Sequence, residues 1–305
     1  MIAFGCAITD PEIYERCAEP GIDLARESDS PVLAQGTAGS IFRNYNLIID
    51  RALELPDLEA LVIVHQDAEI IDSDACRKLR TAFADPGVGL VGCAGALGVR
   101  SIAWWEGSVT WAAFTHRYEE LGGGEIPSLS WVADETPSYA SLGEVDTVDG
   151  FVLGFSPRAL RELRFDESLG RFHGYDYDIC LQARSRGMKV VTADIRTIHH
   201  HSLELITDPE AWIVAHVRLA EKWKDAFPDD GAGNEDWRGR ARRAEAEAAV
   251  ARLLGGREVL VREATAARDE RRIEAAESEL EEIRGSLSWR LTASLRRLRH
   301  AMRRR

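Results

Sequence analysis

Leu61-Val62-Ile63-Val64-His65-Gln66-Asp67 decides how this chain is read. Four apolar residues, mostly β-branched, predict a buried strand. A histidine and a carboxylate two positions apart emerge at its C-terminal end, where open α/β sheets place their ligands. A second acidic cluster follows downstream, Tyr175-Asp176-Tyr177-Asp178, and His199-His200-His201 closes another apparent strand. Imidazoles and carboxylates at strand ends suit chemistry that joins a phosphate-bearing ligand, a divalent cation and a general base.

Working outward, residues 2–8 predict a first strand, and Pro11 a helix over 11–18 capped by Asp10. Val32-Leu33 is a short strand after the polar run Glu27–Ser30, and Gly36–Ser40 is a turn. The run from Ile41 to Leu53 is helical and ends at Pro56-Asp57. A helix near 73–84, closed by Asp85-Pro86-Gly87, leads to a buried strand over 88–93 whose glycines allow close approach. This alternation predicts an α/β fold with a mostly parallel sheet flanked on both faces by helices. Residues 98–145 break the rhythm with Trp104, Trp105, Trp111, Trp131 and Gly122-Gly123-Gly124: either a substrate wall or tryptophans pinning long loops to the core. Order resumes at Val148–Phe155. Helices follow from Ser156-Pro157 and over 176–186, strand character over 189–199, and an apolar-faced helix over 209–225.

Charge divides the chain. Residues 231–305 carry 18 arginines against 13 acids, whereas the first 230 hold 20 basic and 38 acidic side chains. The main domain therefore offers no basic face for nucleic acid. No apolar run is long enough to span a bilayer, and the first residues read as a strand, not a signal peptide. Five scattered cysteines without CxxC spacing argue against a disulfide framework or structural zinc and suit a cytoplasmic protein. The expected division is a main domain over 1–230 and a helical extension over 231–305. The stretch 238–283 is one long helix, or two broken at Gly255-Gly256, packed on its own domain or on a partner chain as a homo-oligomer. No strict heptad runs through it. The tail Arg284–Arg305 has eight arginines and no acid, so it either lies on an anionic membrane surface or docks on the acidic main domain.

Positions 1 to about 225 resemble the inverting, family 2-like glycosyltransferases of GT-A fold, and more closely their bacterial branch with His-Gln-Asp in place of Asp-x-Asp. The pieces that carry the resemblance stand in order: Asn44–Asn46, His65–Asp67, Asp149-Gly150, Phe165-Asp166-Glu167, Gly174–Cys180, Arg184, Gly187 and His199. Ser286–Thr292 also resembles a Ser-x-Ser-Trp-Arg-Leu-Thr segment that trails bacterial sugar transferases. Two positions depart from the pattern: His65 stands where an acid is usual, and Tyr175 precedes Asp176 where a glutamate is usual. These departures keep open a protein that kept the fold and sugar-nucleotide binding but lost turnover.

The resemblance implies transfer of a sugar from a nucleoside-diphosphate donor to a hydroxyl of a glycan or glycolipid, with inversion, in bacterial surface polysaccharide synthesis. Hard oxygen ligands suit Mg or Mn, and an imidazole tips the balance toward Mn. Asp67 is the expected metal ligand, with His199 as the second and His201 as its rival on the same strand face. His65 is placed beside the nucleotide or on the metal. The resemblance assigns Asp176 as general base and brings Thr9 and Asn46 to the nucleotide. Asp29 is a further candidate for the base or ribose. Asp149, Gly150, Tyr175 and Asp178 are expected on the acceptor side, and Phe172, Tyr175 and Trp105 are candidates to stack on a sugar.

Overall fold

In strand β3 (Ala60–Val64) every residue is buried, with Leu61 and Ile63 facing one core and Val62 and Val64 the other. That alternation, with both faces apolar, makes β3 an interior strand covered on both sides. The computed structural model describes residues 1–36, 38–99, 108–111, 114–118, 124–125, 142–201, 208–224, 235–286, 289 and 291–292.

In chain order the strands are β1 (Ile2–Ile8), β2 (Val32–Gly36), β3, β4 (Ala68–Ile70), β5 (Val88–Gly92), β6 (Ala94–Leu97) and β7 (Ser108–Trp111). They continue as β8 (Phe114–Tyr118), β9 (Gly124–Glu125), β10 (Glu144–Val145), β11 (Thr147–Val148), β12 (Val152–Phe155), β13 (Lys189–Thr192) and β14 (Thr197–His201). The helices are α1 (Pro11–Arg16), α2 (Ala18–Ala25), α3 (Ile41–Leu53), α4 (Ala75–Phe83), α5 (Pro157–Glu162), α6 (Tyr175–Ser185), α7 (Pro209–Lys222) and α8 (Glu235–Gly285).

The main sheet has seven strands in the order β10-β13-β5-β12-β3-β1-β2. β1, β2 and β3 are parallel neighbours, as are β5 and β13. β12 lies antiparallel between β3 and β5, and β10 antiparallel on β13. A mixed sheet flanked by helices and followed by a long C-terminal helix is the architecture. On one face pack Phe42, Ile48 and Ile49 of α3, Leu160 of α5 and Ile179 of α6; on the other, Ile22 of α2 with Cys76 and Leu79 of α4.

Local signals behave as their chemistry demands. Asp10 accepts from the backbone N–H of Glu12 and Ile13 at the start of α1, and Ser40 caps α3 through the N–H of Arg43. The long helix runs unbroken through Gly255-Gly256, which corrects the two-helix alternative; a helical glycine costs only about 1 kcal/mol relative to alanine. Trp111 lies on β7, while Trp104, Trp105, Trp131 and Gly122-Gly123 fall outside the described residues. No helix among the described residues is long and apolar enough to cross a membrane.

A second sheet, β4-β14-β8-β9, positions the site. β4 begins directly after Asp67 and pairs antiparallel with β14, so that His199 lies opposite Ala68 and the His200 N–H donates to the Asp67 carbonyl at 2.8 Å. A residue near the end of the domain is thereby brought beside the early His-Gln-Asp triplet.

Candidate active site at the carboxyl end of the sheet

The ligating atoms of His65, Asp67 and His199 all lie within 4.8 Å of one another. Asp67 Oδ1 is 3.7 Å from His65 Nδ1 and 3.6 Å from His199 Nε2. Bonds of about 2.1 Å to a divalent ion set neighbouring ligands roughly 3.0–3.4 Å apart, so small rotations close this set around a cation. Two imidazoles and a carboxylate form a donor set suited to Mn better than to Mg. The Asp67 side chain is 33% exposed, which leaves it open to the cleft, while His199 is held under it by Phe151, whose ring stacks at 4.7 Å. Burial disfavours the His199 imidazolium, but the Asp67 and Asp149 carboxylates outweigh it and raise its pKa. The cluster thus attracts positive charge where a metal would sit.

His65 is oriented from behind. Its Nε2 is 2.5 Å from the Tyr175 hydroxyl, and Tyr175 is buried at the start of α6. A cation on Nδ1 requires the tautomer whose Nε2–H donates to the tyrosine oxygen, so Tyr175 acts as an outer support for the ligand. Gly150 makes this possible, because a Cβ there would collide with the Tyr175 ring. Gly174, left-handed at φ 78°, turns the chain into α6 just before Tyr175.

Two carboxylates share the next space. Asp176 accepts from the Tyr177 N–H at 2.9 Å, and Asp149 from the Phe151 N–H at 3.3 Å. Burial, followed by the neighbouring Asp149 charge, pushes Asp176 up to about 7. Burial likewise raises Asp149, against the pull of His199. A carboxylate poised near neutrality can accept a proton there.

A cleft of about 310 Å³ opens over the cluster, floored by Ala7, His65, Gln66 and Asp67 and walled by Ser40, Asn44, Tyr45, Arg171 and Phe172. Thr9 lines it, but its hydroxyl accepts from Gln66 Nε2 at 2.9 Å, and Gln66 Oε1 in turn accepts from the N–H groups of Thr9 and Asp10. The middle residue of the triplet thus clamps the end of β1. Sequence reading passed over Gln66, although its place between two candidate ligands was the available signal.

Three expected residues are placed elsewhere. Asn46 bonds both ways to the backbone of Phe165, at 2.9 Å each, and is absent from the cleft lining; Asn44, two residues earlier, lies there instead. Asp29 is exposed before the amino end of β2, at the opposite end of the parallel strands from the cluster. Asp178 is fully buried and accepts from Trp223 Nε1 and Gln182 Nε2, both at 2.7 Å, with Lys222 at 2.8 Å. It fastens α7 to α6, because helical spacing turns it away from Asp176. His201 lies on β14 beyond His199, and its side chain is outside the described residues. Arg171 had no distinguishing signal in sequence; only the fold brings it to the cleft.

Residues 3–221 match the model of a glycosyltransferase like family, and the chain belongs to that family. The streptomycin biosynthesis protein StrF of Streptomyces griseus is 27% identical over 237 residues, covering 77% of this chain and 79% of its own. GalNAc-T7, solved with UDP, GalNAc and Mn2+, is similar over 74% of this chain and 48% of its own, at 12% identity and a TM-score of 0.49. The mannosyltransferase PcManGT from Pyrobaculum calidifontis, in complex with GDP-Man and Mn2+, covers 96% of this chain and 83% of its own, at 14% identity and a TM-score of 0.45. The fold is GT-A-like, and a cluster able to bind metal lies at its carboxyl edge.

Proposed function

We propose that the protein is a metal-dependent, inverting glycosyltransferase that moves a sugar from a nucleoside-diphosphate donor to a hydroxyl of a glycan or glycolipid. The observation that carries this reading is the convergence of His65, Asp67 and His199, the first two on the floor of an open cleft and His199 buried beneath Asp67, in a chain of glycosyltransferase type. A divalent ion held by these three side chains would neutralise the charge that develops on the departing diphosphate. The Arg171 guanidinium at the cleft wall adds positive charge on the donor side, and the half-exposed Phe172 ring offers an apolar face at the mouth. Asp176 receives the proton of the attacking hydroxyl, its affinity for protons raised by burial and by Asp149. Attack opposite the leaving group inverts the anomeric centre without a covalent intermediate. The proposed setting is bacterial surface polysaccharide synthesis on the cytoplasmic side of a membrane.

The deciding experiment measures Mn binding by calorimetry and donor hydrolysis across a panel of nucleoside-diphosphate sugars, for the parent and Asp67→Ala. We expect loss of Mn binding of at least about 100-fold and loss of hydrolysis in the variant. Donor binding with no Mn dependence and no turnover by the parent would leave a sugar-nucleotide binding protein instead.

A further inference from the structure

The last part of α8 leaves the body of the molecule. Ala246, Ala249 and Val250 pack into the core and Ala264 is still buried, but every residue from Arg268 to Ser286 is exposed. Ile273 is 59% exposed, Leu280 47% and Ile283 43%. A helix touching nothing else is marginal in water unless its own charges support it or a partner covers its apolar face. Its own charges give no support. Four-residue spacing sets Arg268 against Arg272, Glu270 against Glu274 and Glu277 against Glu281, and joins no opposite charges in this stretch. At three-residue spacing, Asp269–Arg272, Arg271–Glu274 and Glu281–Arg284 are offset by Arg268–Arg271, Glu274–Glu277 and Glu279–Glu282.

The complement lies between helices. No heptad runs through α8 as a whole, but its exposed end has one: Ile273 and Leu280 at a, with Ala276 and Ile283 at d. Arg272 and Glu279 then occupy g, and Glu277 and Arg284 occupy e. In a parallel pair, each g residue faces the e residue five positions on in the other helix. That sets Arg272 against Glu277 and Glu279 against Arg284, two attractive contacts that symmetry doubles. An antiparallel pair would set e against e and bring Glu277 onto its own copy.

We propose that residues 272–284 form a parallel, in-register two-stranded coil with a second copy of this chain. The seam is short and alanine at one d position adds little burial, so association is reversible and concentration-dependent. The occupant is a second copy because a parallel homodimer satisfies the charges that one helix leaves in conflict.

Sedimentation velocity on the full chain over a concentration series tests this. The parent should pass from monomer to dimer. Ile273→Glu with Leu280→Glu should be monomeric throughout at an unchanged thermal midpoint, since both side chains are exposed. Arg272→Glu should weaken the dimer roughly tenfold, and adding Glu277→Arg should restore it. Ile273→Cys should cross-link two chains under mild oxidation, because parallel register brings the two a positions together. A parent that stays monomeric, a dimer that survives Ile273→Glu with Leu280→Glu, or a dimer that Ile273→Cys fails to cross-link would each overturn the proposal.

Discussion

At the amino end of the main sheet, Arg80 holds Glu27 with two contacts of 2.6 and 2.7 Å and Glu59 with one of 2.5 Å, while the Met1 amino group adds 3.1 Å to Glu59. At the carboxyl end, the Asp149 charge bears on Asp176, and Asp67 Oδ1 lies 3.7 Å from His65 Nδ1 and 3.6 Å from His199 Nε2. The amino-end carboxylates are pulled below their usual range by the Arg80 bonds. Asp149 and Asp176 at the carboxyl end are pushed up, chiefly by burial. The first arrangement joins opposite charges at the surface. The second gathers buried carboxylates and imidazoles of perturbed proton affinity in one place, the pattern that clusters at functional sites.

The sharpest way to break this contrast is Asp176→Asn. Turnover should fall by about 10²–10⁴-fold with donor affinity kept, measured by steady-state kinetics beside calorimetry. In the parent, activity should rise with pH as Asp176 ionises through about 7, and the variant should lose that limb. Stability should move the other way. Asp176 is raised in the folded state, so between the ordinary carboxylate pKa and about 7 the native protein binds more protons than the unfolded chain. Its contribution is therefore fully present at low pH and is lost as pH rises through about 7. Asp176→Asn should accordingly raise the thermal midpoint at neutral pH, and an unchanged or lower midpoint would count against the raised pKa.

Tyr175→Phe gives an intermediate effect. Removing the hydroxyl that meets His65 at 2.5 Å should weaken Mn binding by about tenfold while α6 stays folded, as read by calorimetry and circular dichroism. Undiminished Mn affinity would show that His65 needs no support from behind. The smallest change is expected at the other end. Arg80→Ala should cost about 1 kcal/mol or less in chemical denaturation, because solvent screens these pairs, and should leave activity alone.

Much of this was legible in sequence because it is local. The apolar run before His65 announces β3 wherever the chain ends up, and Ile41–Leu53 carries its own helical spacing between a serine cap and a proline. The direction of β12 was not legible: four buried apolar residues read alike parallel or antiparallel. Nor was β4, three residues long and too short for any period to register. Yet β4 is what joins Asp67 to His199, through pairing across more than half the domain. Asn46 and Asp178 show the converse. Both occupy suggestive places in the chain, and both are taken up by partners far away in sequence, Phe165 and Trp223.

The amino-acid order by itself determined the strands, the helices, their caps and the kinds of side chain delivered to the carboxyl edge, since propensity, apolar period and capping act over a few neighbouring residues. Only the tertiary structure decided which of those side chains meet. The Asp67–His199 approach, the Tyr175 support behind His65, the room left by Gly150 and the raised Asp176 all depend on distance and exclusion of water, which exist only once separate segments have packed together.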